Sequence, residues 1–89
     1  MNIRAAFIGY GEVASAFSAA LAARGVAVAA YDVLLEQEGG IHRLQERSAG
    51  TKVEFCTLAD AVRGAHYILS TVTTSAASQA TLVVTGDRM

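Results

Sequence analysis

From Ile3 to Gly9 the chain is almost continuously apolar, with Arg4 as the exception. A short apolar run that ends in glycine predicts a strand buried on both faces, as in parallel sheets. From Glu12 to Arg24 the period changes. Val13, Phe17 and Leu21 recur every four residues, with Ala14, Ala16 and Ala20 beside them. This predicts a helix with one packing stripe and a flank of small residues. Arg24 and Gly25 supply a cation near the negative end of the helix dipole and then a stop. "VAVAAYD", Val26 to Asp32, reads as a second strand.

The theme then repeats less clearly. After a glycine pair, a polar helix is expected over about Ile41 to Ser48. "KVEFC" (Lys52 to Cys56) reads as a short strand, and "TLADAVRGA" as a short helix. Thr57 and Asp60 have the spacing of a capping box there, with Gly64 placed to end the helix. "HYILSTV" (His66 to Val72) predicts another strand, and "TTSAASQA" a short helical turn capped by Thr73, Thr74 or Ser75. "TLVVTG" reads as a last strand. Its connection is shorter than the dozen or so residues that join parallel strands, so its place in the sheet stays open. Alternating strands and helices predict an α/β fold with a parallel sheet in the order 3-2-1-4, helices flanking it and the second half incomplete.

Length and composition narrow the classes. A chain of 89 residues makes one domain at most. It is 53% hydrophobic and only 17% charged, a balance which implies that something else, such as a second copy, covers part of the surface. A net charge of -1 gives no reason to expect nucleic acid or an anionic membrane as partner. The N-terminal run is broken by two glycines and Glu12, and Arg24 interrupts any membrane-length span. Cys56 is the sole cysteine, so no intrachain disulfide or cysteine metal site forms, and a reducing, cytoplasmic setting fits. His42 and His66 have no partner at metal-ligand spacing, and no metal is expected.

The glycines carry the chemistry. Gly9-Tyr10-Gly11-Glu12-Val13-Ala14 is a G-x-G-x-x-A turn between a strand and a helix. Gly9 permits the sharp turn, Gly11 leaves the main chain bare for a pyrophosphate, and Ala14 lets the helix pack closely on the strand. The helix start offers free N–H groups and a positive dipole end to the anion. Asp32 follows Gly9 by 23 residues, at the end of the second strand, where an acid holds the adenosine ribose. That carboxylate repels a 2′-phosphate, by roughly 1 kcal/mol in water at 4 Å and about 4 kcal/mol at an effective dielectric of 20. NAD is therefore the expected cofactor. NADP remains open through Arg43 or Arg47, should the polar helix fold back. Glu12 is expected to point to solvent. Tyr10 is expected either over the cofactor or at the crevice edge. "STVTTSAASQA", Ser70 to Ala80, falls where ligands sit outside the carboxyl ends of strands.

Together, "AAFIGYGEVASAFSAALAARGVAVAAYD" and "TLADAVRGAHYILSTVTTSAA" resemble the N-terminal domain of the 6-phosphogluconate dehydrogenase and 3-hydroxyisobutyrate dehydrogenase superfamily. The similarity runs from about Ile3 to Ala80. It implies hydride transfer between a nicotinamide and a hydroxy acid. On that resemblance Gly9, Tyr10, Gly11, Glu12 and Val13 match the phosphate loop, Asp32 the ribose acid, and Thr71, Val72 and Thr73 the loop after the fourth strand. Members of the superfamily continue into a helical domain with a catalytic lysine. The only lysine here, Lys52, precedes a strand and does not take that role. The expectation is a truncated cofactor domain without catalytic residues of its own. The alternatives are a non-catalytic dinucleotide-binding module and an inactive fragment.

Overall fold

A computed structural model of the chain describes residues 3–73 and 78–84. In chain order the elements are β1 (Arg4–Ile8), α1 (Glu12–Ala23), β2 (Ala27–Tyr31), a 3-10 turn (Val33–Glu36), α2 (Gly40–Arg47), β3 (Val53–Phe55), α3 (Leu58–Val62), β4 (Tyr67–Thr73) and β5 (Ser78–Val84). The sheet order is β3-β2-β1-β4-β5. The first four strands are parallel, with Phe7 beside Ala30 on one side and beside Leu69 on the other. The expected α/β, Rossmann-like arrangement with order 3-2-1-4 is thus present.

The end of the chain departs from expectation. Residues 78–80, expected in a helical turn, are strand, and β5 runs antiparallel to β4 from Thr73↔Ser78 to Tyr67↔Val84. An antiparallel return needs only a short connection, so the crossover that a parallel fifth strand requires never arises. The caps expected at Thr74 or Ser75 lie outside the described residues; Thr73 is part of β4.

Each face of the sheet has its own core. Phe7, Val28 and Ala30 pack with Tyr10, Ala14 and Leu44 under α1 and α2. Ala6 and Ala29 pack with Ala61 and Ala65 under α3. Alternation along β1 explains the division, since neighbouring residues of a strand face opposite ways. The alanine face allows α3 to approach closely. The other face takes the large side chains, and a buried Phe7 or Leu44 contributes about 1.5–3 kcal/mol. Leu44 belongs to a row of buried positions, Gly40, Leu44 and Ser48, spaced by four. Gly40 is fixed by contact: a Cβ there would lie 1.6 Å from the Leu34 carbonyl oxygen.

Helix α1 packs with only part of the expected stripe, Leu21, against the core. Its buried residues are Ala14 and Ser18, whereas Phe17 is 46% exposed. The apolar period of four is real, but the face that meets the sheet is the one whose small residues leave room for the Tyr10 ring. Helix α3 starts as expected, with Thr57 Oγ1 accepting the Asp60 N–H at 3.1 Å. The Asp60 carboxylate turns to Arg63 at 3.4 Å, an exposed pair worth little. Cys56 stands just past β3; partial burial and then the Glu54 carboxylate push its thiol pKa up, away from thiolate chemistry.

Candidate functional site

β1 leads into α1 between the carboxyl ends of β2 and β4, the place where an open α/β sheet leaves a crevice. Gly9 is pinned there from both sides. Its N–H donates to the Tyr31 carbonyl at 2.7 Å, and the Thr71 hydroxyl donates to its carbonyl at 2.7 Å. Its φ is +91°, and a Cβ would come within 2.2 Å of the Thr71 carbonyl oxygen. Glycine at this position is a requirement of the fold.

Tyr10 corrects the sequence reading. Its ring lies neither over the crevice nor at its edge; it is fully buried. It meets Phe7 and Phe55 edge-to-face, with centroids 6.2 and 5.1 Å apart, and its hydroxyl shares a 2.5 Å hydrogen bond with Ser18. A polar end satisfied inside the core is what permits a buried tyrosine. With the ring turned inward, the main chain of Tyr10 is held by charged side chains. Its N–H donates to Asp32 Oδ2 at 2.7 Å, and its carbonyl accepts from Arg47 Nη1 at 2.9 Å.

Gly11 differs in kind from Gly9. Its φ of -96° is open to any residue, and a Cβ there would meet nothing within 4 Å. Neither backbone conformation nor packing explains the glycine. It is the N-cap of α1, and no side chain closes that terminus. The helix therefore begins with unclaimed donors beside a bare stretch of main chain, the arrangement that favours an anion. Glu12 is exposed, as expected, at the first helical position.

Asp32 ends β2 and caps the following 3-10 turn, with Oδ1 accepting the Leu34 N–H at 2.9 Å. Both carboxylate oxygens are thus engaged once, and each keeps a further lone pair for an outside hydroxyl. Between this carboxylate and the glycine turn lies an open cleft of about 620 Å³. Gly9, Tyr10, Gly11, Glu12, Val13, Asp32 and Thr71 all line it, so seven residues read from sequence meet in one place.

The resemblance set Thr71, Val72 and Thr73 in a loop after the fourth strand, but β4 runs through Thr73, with Val72 paired to Gln79 and Thr73 to Ser78. Pairing with β5 prolongs the ladder and removes the loop. Arg47, one of the two arginines weighed for a phosphate, also lines the cleft, and so do Ile8, Tyr31 and Val33, which the sequence reading missed. Val33, 63% exposed directly after Asp32, was visible as an apolar residue following the acid. Tyr31 donates its hydroxyl to Glu36; that bond, and then burial and the Glu36 and Asp32 charges, raise the phenol pKa. The tyrosine is therefore held as a neutral hydrogen-bond donor to Glu36.

Among the described residues no helix is long and apolar enough to cross a membrane, and no cluster of His, Cys, Asp and Glu could hold a metal. In comparisons with protein families, curated proteins and solved structures, the chain matches none.

Proposed function

We propose that the cleft binds a nicotinamide dinucleotide, NAD in preference to NADP. The observation that carries this reading is Gly11. Its side is open, its conformation is ordinary, and it stands at an uncapped helix start with the Asp32 carboxylate hydrogen-bonded to the residue before it. A glycine kept only for packing has a contact or a positive φ to explain it, as Gly9 does; Gly11 has neither. The residues fit the cofactor. Gly11 leaves the main chain bare where a pyrophosphate approaches. Asp32 keeps acceptor capacity for two ribose hydroxyls, each such charged hydrogen bond contributing about 1.5–3 kcal/mol. Val33 offers an apolar surface beside it for the adenine ring.

When bound, the nicotinamide supplies hydride chemistry. On the superfamily resemblance, the reaction is oxidation or reduction of a hydroxy acid. The chain's own part is to hold and orient the cofactor. The ionisable groups on the cleft are Glu12, Tyr31, Asp32 and Arg47. Asp32 and Arg47 already hold the turn and keep their remaining capacity for the cofactor, Tyr31 is bonded to Glu36, and Glu12 is exposed at the start of α1. That division of roles favours a second reading, a dinucleotide-binding module that does not turn over substrate by itself.

Titration with NADH and NADPH, monitored by nicotinamide fluorescence, tests the proposal. NADH is expected to bind more tightly than NADPH by about tenfold. Gly11→Val, which puts a branched side chain into the open space, is expected to abolish binding while the melting transition persists. Unaltered NADH binding by that variant removes the phosphate-loop assignment. Turnover of a hydroxy acid by the purified chain separates the enzyme reading from the module.

A further inference from the structure

We propose that Arg47 recognises the pyrophosphate of the bound dinucleotide, an inference that rests on the dinucleotide reading. Arg47 ends α2, yet it reaches the glycine turn from 37 residues away. The Ser15 hydroxyl donates to the Arg47 carbonyl at 2.7 Å, tying the end of α2 to α1. From that anchor Nη1 donates to the Tyr10 carbonyl at 2.9 Å. A guanidinium has five donors in a planar fork, and the Tyr10 carbonyl engages one of its nitrogens. The residue is exposed, so the remaining donors are open to a ligand in the cleft.

Charge decides the matter. Among the described residues that line the cleft, Arg47 is the sole cation, against the carboxylates of Glu12 and Asp32. The α1 dipole contributes roughly half a positive charge at its N-terminus. The dipole alone does not offset two carboxylates, and a ligand that brings further negative charge needs Arg47. A bidentate guanidinium contact suits a phosphate group.

Which phosphate follows from where Arg47 is held. It sits on Tyr10, within the turn assigned to the pyrophosphate. The ribose end belongs to Asp32, which repels a 2′-phosphate. Arg43, the other sequence candidate, is exposed on α2 and does not line the cleft.

The test uses the full chain as wild type, Arg47→Lys and Arg47→Gln, each first checked for a cooperative melt. Each is titrated calorimetrically with NADH, NADPH, adenosine and inorganic pyrophosphate. Arg47→Gln is expected to weaken NADH and pyrophosphate by roughly tenfold to a hundredfold and to leave adenosine unchanged. Arg47→Lys, which keeps the charge without the fork, is expected to fall between. Wild-type NADH affinity in Arg47→Gln overturns the inference and leaves the dinucleotide reading standing. An equal loss of adenosine also overturns it, because Arg47 then acts through the shape of the turn. A loss confined to NADPH overturns it in favour of 2′-phosphate recognition. If wild type binds pyrophosphate through Arg47 but not NADH, the anion role holds and the dinucleotide reading falls. If wild type binds none of the four, both fall.

Discussion

The Asp32 carboxylate accepts the main-chain N–H of Tyr10 at 2.7 Å, joining the end of the second strand to the middle of the glycine turn. The other carboxylate oxygen caps the 3-10 turn at Leu34. One side chain therefore holds the loop's shape, starts the next element and faces the cleft. Asp32→Ala is expected to lower stability by about 1–3 kcal/mol, through the lost cap and the lost charged hydrogen bond. It should also weaken NADH and narrow the gap between NADH and NADPH. Urea denaturation and paired titrations check both parts; an unchanged NADH-to-NADPH ratio removes the ribose role.

The two glycines of the turn should respond oppositely to alanine. At Gly9 a Cβ meets the Thr71 carbonyl at 2.2 Å with φ at +91°. Gly9→Ala is expected to cost more than about 3 kcal/mol, from backbone strain and the clash together. At Gly11 the Cβ enters open space, and Gly11→Ala should cost no more than about 1 kcal/mol, mostly as a poorer N-cap. Comparing the two urea midpoints tests the assignment. Similar losses at both positions show that Gly11 is held by packing after all.

Tyr10→Phe removes the buried hydroxyl from Ser18, which also donates to the Ser15 carbonyl at 3.0 Å. The expected cost is about 0.5–1.5 kcal/mol. NADH affinity should not change, because the ring faces the core and only the main chain of Tyr10 meets the cleft. A marked loss of NADH binding in a folded Tyr10→Phe contradicts the buried placement.

Tyr31 sets a dependence on alkaline pH. Its hydrogen bond to Glu36 raises the phenol pKa above the ordinary value near 10. A raised folded-state pKa means that the folded chain holds this proton more tightly than the unfolded chain. The stabilisation is complete below the unfolded pKa and is lost as pH rises through the folded one. Urea midpoints measured from pH 8 to beyond pH 10 should therefore fall more steeply for wild type than for Tyr31→Phe. Parallel curves sink this account.

Much of the fold was legible because local chemistry writes it. The apolar run into Gly9, the Ala-rich helix, the Thr57 cap and the acid at the end of the second strand are consequences of nearby residues. The same holds for Gly9, Gly11 and Asp32 in the cleft. Of the Val13–Phe17–Leu21 stripe Leu21 packs on the core, but Phe17 is exposed, because the packing face of the helix is set by the Tyr10 ring filling the space against Ser18. The strand reading of His66 to Val72 stopped one residue short of the strand's end at Thr73, because a loop and a paired strand differ only in whether another strand lies alongside.

By itself the sequence determined the strand–turn–helix order, the glycine geometry and the spacing of the acid, since each depends on backbone limits within a few residues. Only the tertiary structure decided that Tyr10 turns inward, that β5 returns antiparallel and that Arg47 comes from α2 to the glycine turn. Those outcomes depend on contacts between residues far apart in the chain. No local period or propensity encodes them, because what selects them is the packing of the finished sheet.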